Sequence, residues 1–224
     1  MIESAPIFLT LKLAFLTTLI LFFISIPVAR WLSRKKNIFK TVAEVVVSLP
    51  LVLPPTVIGF YLLVVFSPAG AFGHWLEHSF NIRLAFSFGG LLIGSVIYSL
   101  PFMVHPLLSG FSALPSSLEE ASYSLGKTRI QTLFRVLLPN IKPSLLTGIV
   151  LTFAHTIGEF GVVLMIGGNI PGRTNVASIA VYDQVEALNY HNATVYAAIL
   201  VSISVVILFL LYLSNRKLQE VKIL

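Results

Sequence analysis

Glu119-Glu-Ala-Ser-Tyr-Ser-Leu-Gly-Lys-Thr-Arg-Ile-Gln-Thr-Leu-Phe-Arg-Val-Leu-Leu-Pro139 is the one long stretch of mixed charge in a chain of 224 residues that is 56% hydrophobic and 11% charged. Two acids open it, Gly126 interrupts it, and three bases precede a proline stop, the pattern of helix, turn and helix. Ser116 or Ser117 is placed to cap the first helix, with Glu119 or Glu120 three residues on to complete a capping box. Gly126 permits a left-handed turn, after which Thr128 can cap a second helix with Ile130, Leu133, Phe134 and Leu137 on one apolar face. Taken locally, the segment is an amphipathic connector resting on a bilayer, or a polar surface to which a partner docks.

The rest of the chain is a membrane scaffold. Mean hydropathy is +0.92, and soluble proteins carry about a quarter charged residues. A span needs roughly 20 residues to cross the hydrocarbon, and five fit: residues 8–29, 42–66, 86–109, 143–166 and 194–214. The expected fold is all-α and polytopic, one transmembrane domain over residues 1–224 with the polar loop 115–139 inside it. Glu3 ahead of the first apolar run, with no small-residue cleavage pattern after it, points to a retained first span. The chain has no cysteine, which excludes disulfides and thiolate metal sites.

Of the 15 bases, twelve fall on one side of these spans: Arg30, Arg34, Lys35, Lys36, Lys40, Lys127, Arg129, Arg135, Lys142, Arg216, Lys217 and Lys222. Lys12, Arg83 and Arg173 fall on the other. The positive-inside rule then puts the N-terminus outside, the C-terminus in the cytoplasm and the polar loop in the cytoplasm. The excess of bases reports orientation, and no nucleic-acid partner is implied.

Span two carries Pro50, Pro54 and Pro55, and each proline removes a donor and clashes with the preceding turn, so this helix must kink or break. Freed carbonyls have to face protein or a water-filled path, which makes Pro54, Pro55, Thr56 and Gly59 candidates for a gate or translocation path as well as a packing kink. Span three has Pro101 and Pro106, and its Gly90-Leu-Leu-Ile-Gly94 lets another helix approach closely. Span four places Thr152, His155, Thr156, Gly158, Glu159 and Gly161 where the pattern otherwise reads as hydrocarbon. Ionisable groups at that depth normally face the bundle interior or water, and the four-residue spacing lets His155 pair with Glu159. Glu159 is expected to be a structural or gating group held by His155 or by backbone donors, because a bare carboxylate repels an anion in low dielectric.

Two other motifs are weaker. His74-Trp-Leu-Glu-His78 has the H-x-x-E-H form of some zinc peptidases, but no further acid stands near enough to be a third ligand, and a solvated interfacial turn is the expected structure. Leu125-Gly-Lys-Thr128 ends like a phosphate-binding loop, yet Ala121 stands where that loop needs glycine. No ATP site and no bound cofactor are expected on this chain.

Glu120-Ala-Ser, Gly126 and Val136-Leu-Leu-Pro139 together resemble the EAA loop of ABC importer permeases in register along its length, with Ser122 for the usual second alanine and Val136 for the usual isoleucine. The stretch from Leu53 to Leu63, and Thr156-Ile-Gly-Glu-Phe-Gly161 running on to Gly168-Asn-Ile-Pro-Gly-Arg-Thr174, resemble the molybdate permease group. The likeness extends from about Pro50 to Tyr182, and sulfate and thiosulfate permeases share the Gly-Glu-Phe-Gly element. The resemblance implies the type I ABC importer permease fold in a prokaryotic cytoplasmic membrane. It implies a homodimer with two cytoplasmic ATPases that hold the ATP and Mg, and an external protein that delivers a tetrahedral oxyanion, molybdate or tungstate ahead of sulfate. Glu119, Glu120, Ala121, Ser122 and Gly126 then form the helix that enters the ATPase, and a short external helix over Tyr182–Leu188 would offer Asp183 and Glu186 to the delivery protein. Readings of another class are a proton-coupled secondary transporter using His155 and Glu159, and a membrane metallopeptidase using His74, Glu77 and His78.

Overall fold

The computed structural model describes residues 3–34 and 37–220, with backbone alone over 216–220. Of the bases used for orientation, Lys35, Lys36 and Lys222 lie outside the described residues, as do the side chains of Arg216 and Lys217. Helices run in the order α1 (Ala5–Leu32), α2 (Ile38–Val52), α3 (Pro55–Phe66), α4 (Ala71–Phe80), α5 (Phe88–Ser112), α6 (Ser116–Ser124) and α7 (Arg129–Thr132). A π-helical turn (Leu133–Leu137) leads into α8 (Leu138–Asn140), α9 (Lys142–Gly158), α10 (Gly161–Gly167), α11 (Ala177–Glu186) and α12 (Tyr190–Glu220).

Among the described residues, three helices are long and apolar enough to cross a membrane, α1, α5 and Tyr190–Asn215 of α12, and two bent pairs, α2 with α3 and Arg129–Asn140 with α9, bring the number of spans up to five. Spans one, three and five therefore correspond to α1, α5 and α12. The stretch expected as span two is two helices, α2 and α3, meeting at 111°. The cause is local: a residue before proline is pushed out of the helical region, and here two stand in series. Leu53 precedes Pro54 and Pro54 precedes Pro55, and both are extended, with ψ of 138°. The stretch expected as span four is interrupted too, α9 ending at Gly158 and α10 starting at Gly161, and α9 is bent by 80° from Arg129–Asn140 at its other end.

α1, α5 and α9 pack on one another to form the centre of the bundle, and α10 lies against α3 and α5. Leu21, Ile26, Met103, Leu107 and Phe111 form the core toward one end, joined there by Leu137 of the polar loop and by Ile141 just before α9. Leu13, Leu91, Val163 and Ile179 form a second core toward the other end. The glycines of α5 admit a neighbour as expected: a Cβ on Gly94 would lie 2.6 Å from Ile166 Cδ1 of α10, and one on Gly90 would lie 3.1 Å from Ile166 Cγ2.

The end bearing the N-terminus is stitched by polar contacts. Thr10 Oγ1 accepts from the Ala177 amide at 2.8 Å, and the Tyr196 hydroxyl donates to the Glu3 carbonyl at 3.0 Å. His74, Glu77 and His78 lie on α4, a helix in place of the expected turn, and Glu77 is ion-paired with Arg83.

Candidate functional site

The polar loop is a folded unit. α6 starts without the expected capping box: Pro115 is its N-cap, and neither serine hydroxyl caps the helix. Pro115 supplies the extended entry by its own geometry, and the helix begins one residue earlier than a Ser116 cap would require. After α6 the chain turns through Gly126 at φ +75°, with the Lys127 amide donating to the Ser122 carbonyl at 3.1 Å, the left-handed ending that glycine allows. Thr128 then caps α7 in a full capping box with Gln131. The hydroxyls of Ser122 and Thr132, both buried, are hydrogen-bonded at 2.8 Å and fasten the two short helices together.

Glu120 and Ala121 are exposed, next to Leu125 at 78% exposure. Glu119 turns the other way. Its carboxylate is ion-paired with Arg30 of α1, lies 3.7 Å from Arg34 and accepts from the Tyr123 hydroxyl at 2.9 Å. The hydrogen bond from Arg30 is the main reason that the carboxyl is held below the usual carboxylate range, with the Tyr123 bond adding to it against some desolvation. The five coupling candidates thus divide into an outward surface, Glu120 and Ala121, and internal fastenings, Glu119, Ser122 and Gly126.

The predicted apolar stripe is split. Leu137 is buried while Ile130 and Phe134 are 70% and 61% exposed. The π-helical turn between them changes the residues per turn, and it sits where Pro139 cannot extend the α-helical ladder. Asn140 Nδ2 meets the Val136 carbonyl there at 2.7 Å.

In the transmembrane part, the breaks of spans two and four meet. Pro55, Thr56, His155, Gly158, Glu159 and Gly161 line one cavity of about 490 Å³, with Tyr98 of α5 on its wall. The fit between the two spans is tight at the backbone. A Cβ on Gly161 would lie 2.7 Å from Pro55 Cβ and 3.2 Å from the Thr56 nitrogen, and one on Gly59 would lie 2.8 Å from Met165 Cβ. Gly158 has nothing within 4 Å of that position and faces the open cavity.

Pro54, Gly59, Thr152 and Thr156 are not on the cavity wall. Pro54 is exposed at the break, and Gly59 is the packing contact just described. Thr156 donates to the Thr152 carbonyl at 2.9 Å and meets Ser99 of α5 at 3.1 Å, while the buried Thr152 hydroxyl has no partner.

His155 and Glu159 do not pair. Glu159 is 4% exposed, and among the described residues the polar group beside its carboxyl is the buried Ser95 hydroxyl of α5, with no backbone donor where one was expected. The helical spacing that favoured the pair ends at Gly158; Glu159 is extended, with φ −68° and ψ 133°. The His155 ring packs instead on Phe102 and Tyr98, with centroids at 3.8 and 5.0 Å. A direct proton relay between the two side chains has no hydrogen bond to run along. The backbone of Glu159 is nonetheless anchored, because Ser178 of α11 donates to its carbonyl at 2.5 Å.

The external loop folds on itself. Asn169 Nδ2 donates to the two Asp183 oxygens at 2.8 and 3.0 Å, and Asn175 Nδ2 donates to Asp183 at 3.0 Å. Asp183, expected to face a delivery protein, is therefore occupied inside the chain. The short helix runs over Ala177–Glu186, earlier than Tyr182–Leu188, and Glu186 accepts from the Tyr182 hydroxyl. Arg173 is exposed and shares a cavity of about 360 Å³ with Lys12, whose amine lies 4.7 Å from the Phe88 ring centroid.

Sequence reasoning missed Arg30 as the partner of Glu119, Tyr98 on the cavity wall and Ser178 at the break. Arg30 counted only toward orientation. Tyr98 and Ser178 carried no spacing signal relative to the residues they touch.

The chain is 46% identical over 214 residues to the molybdenum transport system permease protein ModB of Azotobacter vinelandii, covering 96% of this chain and 95% of that one. It is 34% identical over 200 residues to a probable sulfate transport system permease protein, cysT, of Chlorokybus atmophyticus, covering 89% of this chain and 70% of the other. Among solved structures, a bacterial ABC transporter involved in the import of alginate superposes with a TM-score of 0.77 at 20% identity, over 95% of this chain and 78% of that one, a likeness of fold. Residues 22–220 match the family described as the binding-protein-dependent transport system inner membrane component, and the chain belongs to that family of membrane-embedded transport subunits.

Proposed function

We propose that this chain is the permease subunit of an ATP-driven importer for a tetrahedral oxyanion, molybdate or its analogue tungstate. The observation that carries the substrate reading is the likeness to a molybdenum permease, which is higher in identity and covers nearly all of both chains, where the sulfate permease is matched over 70% of its length. Five spans are too few to enclose a path, so two copies work together. Each copy offers Glu120 and Ala121 to a cytoplasmic ATPase that holds the ATP and Mg, and an external binding protein delivers the anion. The N-terminus lies outside and the C-terminus in the cytoplasm, as the distribution of bases requires.

The cavity at the paired breaks is the gate. Its wall offers the hydroxyls of Thr56 and Tyr98 as donors and the carboxyl of Glu159 as an obstacle. A dianion 4 Å from an ionised carboxylate is opposed by about 8 kcal/mol at an effective dielectric of 20, so the anion passes when Glu159 has withdrawn. The extended residues at both breaks supply the hinge: Gly161 rests on Pro55, and movement of either span carries the other.

Proteoliposomes holding the permease with its ATPase, presented with the molybdate-loaded binding protein, test this. Uptake that requires ATP, prefers molybdate to sulfate and survives an uncoupler is expected. Uptake that proceeds without ATP and collapses with the uncoupler overturns it.

A further inference from the structure

A second polar cavity, of about 270 Å³, lies between the end of α1 and the polar loop, away from the gate. Arg30 of α1, Arg34 just beyond its end and Arg129 of α7 line it, and the acid on its wall is Glu119. Arg30 is committed to Glu119, and Arg34 stands 3.7 Å from the same carboxylate with its side chain 48% exposed. Arg129 has no side-chain hydrogen bond or ion pair among the described residues. Three guanidiniums against one carboxylate leave an excess of two positive charges, and the amine of Lys40 lies 5.7 Å from the ring of Trp31 on the same wall.

The other walls are apolar and continue outward. Trp31 and Ile130 line the cavity with 46% and 70% of their surfaces exposed, and Phe134 follows one turn after Ile130 at 61%. A basic pocket floored by arginine and flanked by exposed tryptophan, isoleucine and phenylalanine at a membrane boundary matches an amphiphile with an anionic head. Guanidinium forks suit the two free oxygens of a phosphodiester, and tryptophan favours the headgroup level. A free oxyanion would use the arginines and leave the apolar rim without a role.

We propose that this cavity binds the headgroup of an anionic phospholipid of the cytoplasmic leaflet. The leaflet rests on the topology proposed above. The phosphate sits between Arg34 and Arg129, and the acyl chains run along Ile130 and Phe134. Because Arg34 also faces Glu119, the bound lipid draws on the same charges that tether α6 to α1, so coupling to the ATPase depends on the lipid.

The test uses the whole complex in nanodiscs of phosphatidylcholine, with or without phosphatidylglycerol, read by native mass spectrometry for retained lipid and by substrate-stimulated ATP hydrolysis. The wild type retains phosphatidylglycerol, and hydrolysis rises with it. R34Q/R129Q keeps the Arg30–Glu119 pair but binds phosphatidylglycerol about 30-fold more weakly, each base near such a surface contributing a factor of about five. R34K/R129K restores part of the loss, since charge survives without the fork. Three results overturn the proposal: unchanged retention in R34Q/R129Q, replacement of the lipid effect by soluble inorganic phosphate, or loss of ATPase binding by R34Q/R129Q equally in both lipids, which would make these arginines an ATPase contact. The chain has no cysteine, so a thiol at Ser33→Cys reports sidedness separately. Labelling from outside alone would overturn the topology and move the site to the other leaflet.

Discussion

The carboxylate of Glu119, in the first turn of α6, is ion-paired with Arg30 near the end of the first span, 89 residues earlier in the chain. This contact ties α6, the helix proposed to meet the ATPase, to a helix at the centre of the bundle, so a push on α6 would be felt by α1. Glu119 is held below its ordinary range, chiefly by Arg30. Its contribution is therefore complete above the ordinary carboxylate range and is lost as pH falls through the lowered value. Acid titration of the wild type should release the loop, seen as a change in Trp31 fluorescence, and E119Q should abolish that transition. E119Q should change overall stability by about 1 kcal/mol or less, as partly exposed pairs do, and reduce ATPase stimulation more than folding.

Gly126 turns at φ +75° with open space around it. Substitution there is a conformational matter without a clash. G126V should destabilise the loop by about 1–2 kcal/mol and cut substrate-stimulated ATP hydrolysis, while G126N, which visits the left-handed region more readily, should retain most of it. Equal loss in both variants, measured on correctly inserted protein, would show that the side chain obstructs the ATPase groove and that backbone strain is irrelevant.

Gly161 and Gly158 flank the break in span four and have opposite surroundings. A methyl at 161 meets Pro55 at 2.7 Å, and a methyl at 158 meets nothing within 4 Å. G161A should force spans two and four apart, costing about 1–3 kcal/mol as overpacking does, and should slow transport severely. G158A should fold like the wild type. Thermal midpoints of the two detergent-purified proteins give the comparison, and a G158A midpoint as low as that of G161A would contradict the described packing.

Glu159 is buried, with the Ser95 hydroxyl of α5 beside its carboxyl and no cation against it among the described residues, an arrangement that costs free energy when the group is charged. E159Q removes the capacity for charge at nearly the same size. The thermal midpoint should not fall, the rate of ATP-driven uptake should change several-fold, and the preference for molybdate over sulfate should stay as it was. A switched oxyanion preference would make Glu159 a substrate contact.

Ser122 and Thr132 offer a check on the loop that is independent of charge. S122A leaves the Thr132 hydroxyl buried without its partner and should cost about 1–3 kcal/mol of loop stability, whereas S122A/T132V should recover part of it because no orphan remains. Protease sensitivity of the loop measures both.

The amino-acid sequence by itself determined the membrane class, the all-helical fold, the polar loop with its Gly126 turn and Thr128 cap, and the break at Pro54-Pro55. Each follows from short-range physics: hydropathy over about 20 residues, the φ freedom of glycine, and the clash of proline with the residue before it. Tertiary structure alone decided what those elements do to one another. It placed Gly161 against Pro55, turned Glu119 inward to Arg30, left Glu159 without His155, and brought Tyr98 to the cavity wall. Helical spacing predicted the His155–Glu159 pair correctly for a continuous helix, but the helix ends at Gly158. Nothing within a few residues of Glu119 distinguishes it from Glu120, and only the position of Arg30 in the folded bundle turns one acid into a tether and leaves the other free for a partner.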